Sequence, residues 1–72
     1  EALMSNHVYK QIALTGSSPT SIDDAIRNAV KKAAKTLHNL QWFQVVEVRG
    51  YIKDGDVAHF QVTLKIGFTL DD

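Results

Sequence analysis

Apolar and polar positions alternate through the second half of the chain. From Gln41 to Leu70, two long runs, QWFQVVEVRGYIK and DVAHFQVTLKIGFTL, flank Asp54-Gly55. Both are rich in Val, Ile, Thr and aromatic residues, which suit a pleated strand. Asp-Gly between such runs predicts a tight hairpin, because Gly accepts positive φ and Asp tolerates it. A regular ladder from a two-residue loop sets Lys53 opposite Asp56, Val48 opposite Gln61, Val46 opposite Thr63 and Gln44 opposite Lys65. One face then carries Phe43, Val45, Phe60, Val62, Leu64, Ile66 and Phe68, with Glu47, Arg49 and Tyr51 further along. The other carries Trp42, Gln44, Val46, Val48, Ile52, Val57, His59, Gln61, Thr63 and Lys65.

Upstream, Val8 to Leu14 reads as a strand, and Thr15 to Thr20 is a loop built from turn residues. Ser21 to His38 carries the three-and-four spacing of a helix, its apolar stripe formed by Ile22, Ala25, Ile26, Ala29, Val30, Ala33 and Leu37. Ser21 and Asp24 resemble a capping box, with Asp in place of Glu or Gln. Asn39 is placed to stop the helix in the left-handed conformation. The order strand, helix, strand, strand predicts an α+β fold: a three-stranded antiparallel sheet in the order 1-3-2. Its crossover is right-handed and its one helix packs on one face. The second sheet face stays apolar and uncovered, which marks an interaction surface and predicts packing between copies.

A chain of 72 residues holds a single domain, assigned to residues 7–72 after a tail of residues 1–6. Met4-Ser5-Asn6 reads as a natural start, with Glu1-Ala2-Leu3 an added remnant. Such a domain buries little surface alone, and with no Cys it has neither disulfides nor thiolate metal ligands. Eight basic residues balance eight acidic ones, which argues against nucleic acid or an anionic membrane as partner. No apolar run reaches membrane-spanning length, and no signal peptide is visible. A cytoplasmic location is expected.

Trp42 and Gln61 share a face of neighbouring strands with Gln44, Thr63 and Lys65. An indole is a broad stacking platform. A carboxamide both donates and accepts, so it can read the edge of a heterocycle bearing C=O and N–H groups. Trp42 serving only as an interface anchor is the plainer alternative. Glu47 and Arg49, two apart, point to one side. They read as an inter-subunit ion pair, or as an Arg49 that donates to a ligand. His7, His38 and His59 lack metal-ligand spacing. Ser17 and Ser18 beside Gly16 lack the rest of a phosphate loop. No nucleophile–base pair or acid–base carboxylate pair is present, so no enzyme is expected.

LTGSSPTSIDDAI, TLHNLQWFQVVEVRGYI, KDGDVAHFQVTLKIGF and the terminal Leu70-Asp71-Asp72 together resemble the dodecins, from about His7 onward. The resemblance implies a β-α-β-β subunit in a hollow homododecamer, binding FMN or riboflavin in pairs at two-fold axes between Trp side chains. The stacking Trp falls on Trp42, the flavin-edge Gln on Gln61 and the ligand-side Arg on Arg49. Gln44 and Lys65 complete the set of cofactor-binding candidates. The implied role is flavin storage and buffering. Some bacterial members also hold coenzyme A, so a carrier of that nucleotide, or a purely structural module, is the alternative. Many bacterial members have acidic residues just before and two after the Trp, and Arg at the position of Thr69. Here these are Gln41, Gln44 and Thr69, which bears on phosphate or coenzyme A contacts and on the choice of flavin.

Overall fold

Asp54 and Gly55 take φ of 53° and 76°, the paired positive values of the hairpin turn that matches strand twist. The turn joins β2 (Leu40–Lys53) to β3 (Asp56–Thr69), and Lys53 faces Asp56 as the turn requires. The structure is a computed structural model and describes residues 8–70. The tail of residues 1–6, His7 and Asp71-Asp72 lie outside the described residues. Ahead of the hairpin come β1 (Tyr9–Ser18) and α1 (Ile22–Ala33). The three strands form one antiparallel sheet in the order β1-β3-β2, so the β-α-β-β, α+β architecture holds.

Two elements depart from the sequence reading. β1 runs on through Thr15, Gly16, Ser17 and Ser18, which pair with Thr63, Val62, Gln61 and Phe60. These are turn residues by composition, but β3 supplies a ladder that overrides local preference. Gly16 lies directly under the helix, where a Cβ would overlap the Ala25 carbonyl oxygen and crowd the Ala29 side chain. The helix ends at Ala33, not His38, and Leu37 N–H still donates to the Ala33 carbonyl at 3.0 Å. Asn39 takes the left-handed φ of 64° that directs the chain into β2.

The N-terminus of α1 is capped as expected, but with a third participant. Ser21 Oγ accepts from the Asp24 N–H at 3.0 Å. The Asp24 carboxylate does not close a capping box; it accepts from Ser18 Oγ at 2.7 Å. Ser18 is 1% exposed and its hydroxyl also accepts from the Thr20 and Ser21 N–H groups, at 2.9 and 3.4 Å.

The core lies between α1 and the β1/β3 half of the sheet. Ala25, Ala29 and Ala33 pack on Val62, Leu64 and Ile66, with Ile12, Leu14, Ile26, Val30, Leu37 and Leu40 at the margin. Three alanines let the helix lie close to the strands. Ile22, assigned to the apolar stripe, is exposed at the first turn. The helix packs chiefly on β1 and β3, so β2 is exposed along nearly all of its length.

The β2–β3 register is not the regular ladder read from the turn. Three irregularities interrupt it. Near the turn, Tyr51 faces His59 and Ile52 faces Val57, which leaves Ala58 extra on β3. Further along, Glu47 faces Thr63 and Val45 faces Leu64, which leaves Val46 extra on β2. The two offsets cancel, so Gln44 faces Lys65 as the turn predicts. Between them the expected pairs Val48–Gln61 and Val46–Thr63 are replaced by Arg49–Gln61 and Glu47–Thr63. A bulge of this kind re-aims the side chains beyond it. Val48 therefore moves to the helix-side face opposite Val62, while Glu47, Arg49 and Tyr51 move to the other.

Candidate functional site

The sheet face turned away from the helix carries a polar strip with an aromatic group at each end. Pairing across the strands sets its rows. They are Gln11–Gly67–Trp42, Ala13–Lys65–Gln44, Thr15–Thr63–Glu47 and Ser17–Gln61–Arg49, followed by His59–Tyr51. All five sequence-derived candidates, Trp42, Gln44, Arg49, Gln61 and Lys65, thus share one face. Arg49 reaches it only because of the Val46 bulge, and alternation alone had assigned it to the opposite side.

Trp42 sits at one end and is 37% exposed. Its ring lies 6.2 Å, centroid to centroid, from that of Tyr9 at an interplanar angle of 59°. Beneath it is Gly67, where a Cβ would overlap indole atoms Cε2, Cζ2 and Cδ2. The indole thus rests a face on the β3 backbone. Gln44 and Lys65 stand in the adjacent row.

Arg49 and Gln61 face each other in the row nearer the turn. Arg49 Nη2 donates to Glu47 Oε2 at 2.9 Å, within one strand. The Glu47 hydrogen bond, then its charge, and a smaller contribution from Tyr51 raise the Arg49 pKa from its already high value. The guanidinium stays cationic at any physiological pH, while Glu47 occupies part of its donor fork. Tyr51 and His59 stack just beyond, with centroids 4.7 Å apart and planes 32° apart. Tyr9, Gly67, Tyr51 and His59 were not read as site residues. Gly67 was the readable signal, since Gly inside a strand marks a close approach.

The strip is too long for one chain to close it on a single ring system. Trp42 faces Gly67 and Gln61 lies six positions along β3 from it, roughly 20 Å at ~3.3 Å per residue. Trp42, Gln44 and Lys65 form one cluster, and Arg49 and Gln61 form another. On the helix side of the same edge, an open pocket of about 140 Å³ is lined by Val30, Leu40, Gln41, Trp42, Phe43 and Ile66. Among the described residues no group of three His, Asp or Glu side chains could hold a metal ion. No described helix is long and apolar enough to cross a membrane.

Comparison with known proteins decides the family. The dodecin family model matches residues 8–71. This chain belongs to the dodecin family. The dodecin of Thermus thermophilus is 43% identical over 65 residues, covering 90% of this chain and 94% of that protein. Among solved structures, dodecin from Streptomyces davaonensis matches with a TM-score of 0.89 at 56% identity, covering 94% of this chain and all of the other. Dodecin from Streptomyces coelicolor matches with a TM-score of 0.90 at 54% identity, covering 96% and 99%. Trp42, Arg49 and Gln61 lie on one sheet face of this chain, at two separated stations.

Proposed function

We propose that this dodecin-family chain is a non-catalytic flavin carrier that stacks FMN or riboflavin on Trp42 at contacts between copies, in a homododecamer. The observation that carries this reading is the seating of Trp42: one indole face rests on the sheet backbone, and the residue is still 37% exposed beside polar groups. Such a platform suits a flat heterocycle better than an apolar side chain. One aromatic stack contributes about 1–3 kcal/mol per base-like ring, so two indoles closing on paired flavins give more than either alone.

The edge contacts come from the second cluster. Gln61 offers two donors and an acceptor to the C=O and N–H edge of the ring. The free part of the Arg49 fork offers further donors. Because these groups lie roughly 20 Å from Trp42 along the strand, a neighbouring chain brings its Gln61 and Arg49 to the ring that Trp42 holds. Gln44 and Lys65, in the row beside Trp42, are placed for the flavin's ribityl chain or phosphate. The flavin closed between two indoles has no open face for a substrate, which makes storage the fitting role. The electron-rich indole also quenches the excited flavin by electron transfer, so binding is read directly as lost fluorescence.

Titration of FMN against the purified protein tests the reading. Strong quenching by the unsubstituted chain, and little by Trp42→Ala, is the expected outcome. Equal quenching by both contradicts it and leaves Trp42 as an assembly anchor.

A further inference from the structure

Gly67 lies in the middle of a strand, beside the irregularity that leaves Gln41 extra on β2. Its φ is not in the left-handed region; the only positive-φ glycine among the described residues is Gly55. Gly67 lies on the central strand, paired on both sides, with Gln11 and Trp42 as its partners. Gly in such a position weakens a strand by losing packing and adding unfolded-state freedom. The missing side chain also has a consequence across the strands.

The consequence is on the outer face of the sheet. The three contiguous indole atoms Cδ2, Cε2 and Cζ2 occupy the space a Cβ would take, so the ring lies with its face on the glycine. Tyr9 and Trp42 belong to β1 and β2, which are separated by β3 and so by about 9.5 Å. Their rings nonetheless come within 6.2 Å of each other. Gly67, on the strand between them, adds no side chain beneath the indole. One indole face thus lies on the backbone, with Tyr9 as a neighbouring ring.

We infer that Gly67 is a positioning residue for the stacking platform: its bare backbone sets the height and tilt of the Trp42 indole, and through them the closeness of the stack on a flat heteroaromatic ligand. The inference rests on the flavin reading for its ligand. It makes a separate claim about the ring in the ligand-free protein. A methyl group at position 67 lifts the indole from the sheet and pushes it from Tyr9.

The test uses the full chain carrying Gly67→Ala, Trp42→Ala, or both. Trp42 is the only Trp, so near-ultraviolet circular dichroism and indole emission report this one ring. In flavin-free protein, Gly67→Ala is expected to shift the emission to the red and change the near-ultraviolet signal. In FMN titrations it is expected to weaken binding about tenfold or more, as loss of a good stack would. In the Trp42→Ala background the same change should have no further effect. An unchanged indole signature overturns the inference, and so does a changed signature with undiminished FMN binding. Should Gly67→Ala fail to assemble, the double variant decides. Recovered assembly shows that the collision is with the indole, whereas continued failure shows that something else excludes the Cβ. If the unsubstituted chain does not bind FMN, the flavin reading falls, and the spectra alone decide whether Gly67 seats the ring.

Discussion

Ser18 joins β1 to α1 through a single buried hydroxyl. It donates to Asp24 and accepts from two backbone N–H groups. Losing a hydrogen bond to a charged partner, with weaker ones beside it, costs about 1–3 kcal/mol. Ser18→Ala is therefore expected to lower the unfolding free energy by about that much, measured in denaturant at matched protein concentration. FMN affinity should hold, since Ser18 and Trp42 lie on opposite faces of the sheet. An unchanged unfolding midpoint contradicts this role. Residue-scale chemistry was legible where it was local. Ser21 capped the helix as its spacing indicated, but Asp24 found its partner in a strand that composition had read as loop. Trp42 stood out from its type alone. Tyr9 did not, because it nears Trp42 across the intervening strand β3.

Among the elements, the β2–β3 hairpin was the most legible and its details the least. The Asp54-Gly55 turn forms with both residues at positive φ. Gly55 has open space around the position of a Cβ, so Gly55→Ala meets strain and no collision. A left-handed L-residue costs roughly 1–2 kcal/mol, and a loss of that size is expected in chemical denaturation. No loss at all contradicts the turn assignment. The bulges were hidden for a physical reason. Val45, Val46 and Val48 are all apolar and all exposed, so a period of two cannot tell which residue is the extra one. Sequence alternation therefore put Val48 with Trp42 and left Arg49 behind, when one inserted residue reverses the two. The helix stripe was correct in its alanines and wrong at its ends. Ala25, Ala29 and Ala33 carry the burial, while the chain beyond Ala33 continues only as a turn.

At the scale of the whole molecule, the single chain is unfinished. It extends 54 Å in its longest dimension and about 20 and 16 Å in the others, with a core confined to the helix-covered half of the sheet. Phe43, Val45 and Val48 face the helix side of β2 beyond the helix's reach, and Trp42 and Tyr51 stand exposed on the other side. Exposed apolar surface on both faces of one edge strand marks an interaction surface. This corrects the sequence reading in one respect: it had one uncovered face to explain, and the structure has two along β2. The same geometry governs the site, because Trp42 and Gln61 of one chain are too far apart to hold one ring. If the proposed function holds, ligand binding and assembly are inseparable. Sedimentation velocity with added FMN, recorded at the flavin absorption band, tests it most directly. The flavin signal should travel only with a particle of many chains and disappear from any fraction dissociated to single subunits. A flavin boundary moving with one 8.0 kDa chain would contradict the account.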